Sequence, residues 1–160
     1  MVGITEISAV VAAAGVLVGV VYYILDMRNQ SRMRQTDLLM RLHTASTTKE
    51  MVEAALKFVS TDYKDYDDFV EKYGSLYSEG EVQTAFIMIG QFFEGIGVLM
   101  KNRLADINQV NQLFAVEAFW MKMKPLVEGI RKQGSPKNYE WFEYLYNEMR
   151  KREQKLQSIS

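Results

Sequence analysis

Apolar and polar positions along this chain follow two different patterns. From Ile7 to Leu25, nineteen residues run without a charge, between Glu6 and Asp26. As a helix rising about 1.5 Å per residue, this stretch spans roughly 28 Å, close to the hydrocarbon thickness of a bilayer. Further on, apolar residues recur every three or four positions, which predicts amphipathic helices. The fold class expected is all-α: one N-terminal transmembrane helix continuing into a cytoplasmic helical bundle. Residues 1–43 form the span and its juxtamembrane extension, and residues 44–160 the helical domain.

A secretory signal fits the first stretch poorly. MVGITE has no Lys or Arg, and the run ends in Tyr22, Tyr23, Ile24 and Leu25 rather than in small residues. A buried soluble helix of this length would carry polar residues and need a large core around it. Arg28, Arg32, Arg34 and Arg41 follow the run and no cation precedes it, so the positive-inside rule places the N-terminus outside and the domain in the cytoplasm of a single-pass cell-membrane protein. Tyr22 and Tyr23 sit where an interfacial aromatic belt is expected. Arg28, Arg32 and Arg34 are assigned to anionic lipid headgroups. At about 100° per residue, Ser8, Ala12, Gly15, Gly19, Tyr22 and Asp26 share an arc of roughly 80°. Gly15-x-x-x-Gly19 is the spacing that lets membrane helices approach closely, so Ser8, Ala12, Gly15 and Gly19 are the expected interface between copies of the chain.

No Gly or Pro occurs from Val20 to His43, so the first helix is expected to continue past the span, with Leu38, Leu39 and Leu42 as an apolar edge. Thr47 with Glu50 reads as a capping box for a helix presenting Met51, Val52, Ala55, Leu56 and Val59 and stopping near Ser60. Asp65 reads as the N-cap of a short helix ending at Gly74. Ser78 with Glu81 reads as a second capping box. It opens the strongest amphipathic pattern, from Val82 through Phe86 and Phe93 to Met100, which is expected to be the central core helix. A second span there is disfavoured, since the apolar run is short and Glu94 is expensive in lipid. Asp106 is expected to cap one helix carrying Val110 to Ile130 and kinked at Pro125. Gly134 ends it, and Ser135-Pro136 opens a last helix with a broad aromatic face, Tyr139 to Met149. The tail RKREQKLQSIS reads as fraying.

Composition narrows the chemistry. The chain has no cysteine and one histidine, which removes disulfides, thiolate nucleophiles and cysteine–zinc sites. Its net charge is −1, made up of −1 from Glu6, +2 over residues 26–43 and −2 over residues 44–160, so nucleic acid is not an expected partner. Asp62, Asp65, Asp67 and Glu71 lack the ligand spacing of a calcium loop and read as helix-capping acids. Gly90, Gly95 and Gly97 lie inside the core helix without the strand and spacing of a phosphate loop, so close approach of other helices is their expected use. Glu94 is expected to be buried and paired with Arg131 or Lys101, and His43 to be a surface or interhelical residue. No catalytic, cofactor-binding or metal-ligating residue is assigned.

The anchor leading into an arginine-bearing helix, FFEGIGVLMKNRL (Phe92 to Leu104), FWMKMKPLVEGIRKQ (Phe119 to Gln133) and WFEYLYNEM (Trp141 to Met149) together resemble the domain-of-unknown-function 4760 family. The resemblance covers nearly the whole chain. It implies a short, membrane-anchored, all-helical prokaryotic protein and brings no activity. A more distant likeness is to the small pore-forming membrane proteins that accompany some RNA-targeting CRISPR effectors. The Arg-to-His motif of the related nucleases is absent around His43. The expected function is a membrane-tethered helical interaction or scaffold protein, self-associating and docking a cytoplasmic protein, with no enzymatic activity. The alternative is a homo-oligomeric pore. A pore normally shows a polar lining, and this span offers only Ser8 and Tyr22.

Overall fold

The computed structural model describes the backbone of residues 4–158 and the side chains of residues 15–158. Seven helices and no strand are found among the described residues: α1 (Ile4–Ser46), α2 (Lys49–Ser60), α3 (Tyr66–Tyr73), α4 (Glu81–Lys101), α5 (Ile107–Leu113), α6 (Val116–Lys132) and α7 (Glu140–Gln157). The chain is all-α, as the periodicity predicts. It divides into two compact units, residues 1–37 and 38–160. The first is α1 up to Asp37, where every large apolar side chain from Val16 to Leu25 is exposed. Side chains of the uncharged stretch up to residue 14, Ser8 and Ala12 among them, lie outside the described residues.

In the second unit the last turns of α1 join the core: Leu39 is buried and Leu42 packs against it. The centre is α4, packed between α2 and α7, with α6 touching both α4 and α7 and carrying α3 on its other side. Phe86, Ile89, Phe93 and Ile96 repeat along the buried face of α4, as the three-and-four spacing predicts. Trp120, Met123 and Leu126 of α6 and Phe142 and Leu145 of α7 close on them. Among the described residues, α4 is also the one helix long and apolar enough to cross a membrane. Eight of its residues are buried in the bundle, from Gln83 to Gly97.

Local signals hold where a side chain can act on its own turn. The Asp65 carboxylate accepts from the amide of Asp68, and Gly74, at φ 83°, ends α3. Asp106 accepts from the amides of Asn108 and Gln109 at the start of α5. Neither capping box forms. Thr48, one residue later than expected, caps α2 by accepting from Met51, while the Thr47 hydroxyl donates back to Thr44. The Ser78 hydroxyl donates to Ser75 in the preceding turn, Gly80 occupies the cap position of α4, and Glu81 pairs with Lys57 of α2 at 2.5 Å.

The expected face of α2 holds in part. Met51 and Ala55 pack against the core, but Ala54 and Phe58 are the buried residues, and Val52, Leu56 and Val59 are exposed. The single helix expected after Asp106 is two, because Phe114 is extended (φ −129°, ψ 136°) and α6 restarts at Val116; that helix continues through Pro125. Ser135-Pro136 does not open α7. Residues 135–139 form turns, with the amides of Asn138 and Glu140 bonded to the carbonyls of Ser135 and Lys137, and the helix begins at Glu140. The tail does not fray at Met149 but stays helical to Gln157, with Lys151 paired to Glu148.

Candidate functional site

A polar arrangement that joins two helices of the second unit lies where α4 meets the start of α7. The residue before α7, Tyr139, is left-handed (φ 56°), and no side chain from its own turn caps the helix. Four amides at a helix start need acceptors, and two of them find one on another helix. The Glu94 carboxylate of α4 accepts from the amide of Phe142 at 2.8 Å and from that of Trp141 at 3.3 Å. The expected pairing of Glu94 with Arg131 or Lys101 is therefore not what forms. Arg131 donates to Glu143 at 2.6 Å and to the carbonyl of Asn138 at 3.0 Å. Lys101 lies over the rings of Trp141 (5.8 Å) and Tyr144 (5.3 Å).

Close approach makes this cap possible. A Cβ on Gly97 would collide with the backbone carbonyl of Trp141, and one on Gly90 with Met123 and the Tyr139 ring. Both glycines are thus used as expected. Gly95 is not, since nothing lies within 4 Å of where its Cβ would be. Sequence reasoning singled out Glu94 and these glycines but missed the acceptor role. Its signal is Glu94 and Gly97, one turn apart on α4, opposite a helix start without a local cap.

Burial raises the Glu94 pKa above 4.5, opposed by the two amides and by Arg131, while Glu140 adds to the rise. A folded-state value above the unfolded one means that the protonated carboxyl is favoured by folding. The resulting stability is fully present below the unfolded pKa and lost as pH rises through the folded one. Glu94→Gln keeps one carbonyl acceptor and cannot ionise. It should flatten this part of the pH dependence in denaturant titrations from pH 4 to 8. Glu94→Ala leaves both amides without an acceptor and should cost about 1–3 kcal/mol. A slope unchanged in the Gln variant would remove Glu94 as its source.

The acidic stretch binds itself. Asp68 accepts from the Lys64 amide and from Lys72 at 3.0 Å, which holds its carboxyl below the usual range. Among the described residues, no group of three His, Asp or Glu is placed to hold a metal. Tyr63 and Lys122 lock the loop before α3 onto α6: the Tyr63 hydroxyl donates to the Lys122 carbonyl, and the Lys122 ammonium donates to the Thr61 carbonyl. The His43 ring lies 6.5 Å from that of Phe114, and its Nδ1 has no hydrogen-bond partner among the described residues.

Two of the open grooves on the surface of this unit have charged side chains along them. One of about 610 Å³ runs between α2 and α4, past Glu53, Lys57, Glu81, Thr84 and Met88. The other, about 370 Å³, lies between α6 and α7, where Arg150 pairs with Glu117 at 3.2 Å. In the first unit, nothing lies within 4 Å of the Cβ positions of Gly15 and Gly19. Arg28, Arg32 and Arg34 are exposed there.

The family described as Domain of unknown function (DUF4760) matches residues 9–149. No curated protein and no solved structure matches the chain.

Proposed function

The chain belongs to the DUF4760 family, and we propose that it is a membrane-tethered helical interaction or scaffold protein. In this reading residues 7–25 cross the cell membrane once, with the N-terminus outside and the bundle in the cytoplasm. Copies associate through the span, and the bundle presents its surface to a cytoplasmic protein. The observation that carries the reading is the exposed apolar sleeve of α1. From Val16 to Leu25 its nine large apolar side chains are each between 46% and 73% exposed. A contiguous apolar surface of that kind calls for a cover, and an unbroken helix satisfies its own backbone in lipid. The arginines that follow support the orientation. The use of α4 as the centre of the bundle supports a single pass. The open Gly15 and Gly19 positions support self-association, and the exposed Val52, Leu56 and Val59 on α2 support an interaction surface on the bundle.

Cysteines introduced at Gly3 and Ser158 test the topology. In intact cells, a membrane-impermeant thiol reagent should label position 3 and spare position 158. The reverse pattern overturns the orientation. With Gly15→Leu and Gly19→Leu together, the detergent-solubilised protein should shift to a smaller mass by light scattering while remaining in the carbonate-resistant membrane fraction. An unchanged mass removes the span as the interface. Stepwise conductance of the purified protein in a planar bilayer would replace the scaffold reading with a pore.

A further inference from the structure

We propose that Arg28 and Arg32 form a phosphate-binding pair on α1, selective for the headgroup of anionic phospholipids. This rests on the membrane-tether reading above and narrows it to one site. At about 100° per residue, Arg28 and Arg32 stand about 40° apart on one face, one helical turn from each other. Arg34 lies about 120° or more away from both. Asp26 and Asp37 lie about 120–180° around the helix, and Asp26 already accepts from Gln30 at 2.8 Å. The pair therefore has no carboxylate on its own face, and neither guanidinium has a hydrogen bond or ion pair among the described residues.

Two shallow, open recesses between side chains of this helix are each lined by Arg28 and Arg32. Ile24, Met27 and Ser31 also line one, and Leu25 and Asn29 the other. Each combines an apolar wall on the span side with cations and a polar side chain on the other. That is the order of groups a glycerophospholipid presents, from acyl chain to phosphodiester. Depth agrees. Arg28 is about 4.5 Å beyond Leu25 along the axis, within a headgroup layer roughly 5–7 Å thick, and Arg32, about 10 Å beyond, is within side-chain reach of it. The Cα–Cβ bonds of a helix tilt toward its N-terminus, which starts both side chains back toward that layer. Arg34 is farther still along the axis and on another face, so it stands apart from the pair. A guanidinium pair gives several N–H donors to one phosphate, and two cations favour a headgroup with net negative charge.

The test is native mass spectrometry of the full-length protein, equilibrated in mixed micelles with equimolar phosphatidylglycerol and phosphatidylcholine. Near a charged surface each cation is worth about fivefold in partition. Retained phosphatidylglycerol should thus exceed phosphatidylcholine by about tenfold or more. Arg28→Gln with Arg32→Gln should bring the ratio close to one, and Arg34→Gln should leave it within about twofold of wild type. Equal retention of the two lipids by the wild-type protein overturns the proposal, as does a preference that survives the double substitution. Millimolar inorganic phosphate distinguishes the sources: a preference that persists supports the lipid, and one that it abolishes assigns the pair to free phosphate. Carbonate extraction separates the two readings. Wild-type protein released to the supernatant overturns the tether and the pair together, whereas retained protein without headgroup preference overturns the pair alone.

Discussion

Gly97→Ala is expected to destabilise the bundle by about 2–3 kcal/mol, whereas Gly95→Ala, two residues earlier on the same helix, is expected to stabilise it by up to about 1 kcal/mol. In a helix interior the intrinsic change from Gly to Ala is favourable by about 1 kcal/mol at both positions. What decides the sign is the space around the new methyl group. At Gly95 nothing lies within 4 Å, so the propensity gain stands alone. At Gly97 the methyl would run into the carbonyl and Cβ of Trp141, and a backbone carbonyl inside a helix cannot rotate aside. Helix α4 or α7 would have to move instead. That movement stretches the 2.8 Å bond from the Phe142 amide to Glu94 and spoils the stacking of Phe93 on Phe142. Gly90 should fall between the two, because the Met123 methyl it meets is the mobile end of a flexible side chain, although the Tyr139 ring behind it is not. Denaturant titration of the three single variants in detergent gives the ranking. Equal effects at Gly95 and Gly97 would show that α7 does not approach α4 as described.

The contrast among these glycines marks what the sequence can and cannot reveal. The buried face of α4 is legible because nearly every core position follows one period, from Val82 to Met100. On α2 two apolar stripes compete. Val52, Leu56 and Val59 repeat as regularly as Ala54 and Phe58, and only the neighbouring α4 decides which stripe is buried. Asp65 and Asp106 cap within their own turns, so short-range chemistry suffices to find them. Glu94 caps a helix start 48 residues away, and a contact of that separation leaves no periodic trace. The break between α5 and α6 carries no Gly or Pro, only an extended Phe114 whose ring packs edge-on against Phe92 at 5.5 Å. Tertiary packing overrides a continuous helical pattern at that point. The arginines after the uncharged stretch read as one group in the sequence, while the helical register of α1 sets Arg28 and Arg32 on one face and Arg34 on another.

The largest single loss is expected from Phe93→Ala, about 3–5 kcal/mol in the full-length protein. Phe93 is 3% exposed, at the middle of the central helix. Its ring stacks on Phe142 at 4.7 Å and 14°, meets Phe119 at 5.3 Å and lies edge-on to Phe92 at 5.4 Å. Truncation removes the transfer term of a whole phenyl ring and leaves a cavity between α4, α6 and α7. Three other rings border that cavity, and they cannot all collapse into it without unstacking from their own neighbours. Phe92, half-buried on the adjacent face, should lose clearly less in the same substitution, which controls for composition and helix propensity. A double-mutant cycle of Phe93→Ala with Phe142→Ala should return a coupling of about 0.5–1.5 kcal/mol from the stacked pair. The measurement is guanidinium unfolding followed by circular dichroism in detergent, with midpoints compared at constant slope. A loss at Phe93 below about 1 kcal/mol, or no coupling to Phe142, would place the core of this bundle elsewhere than between α4 and α7.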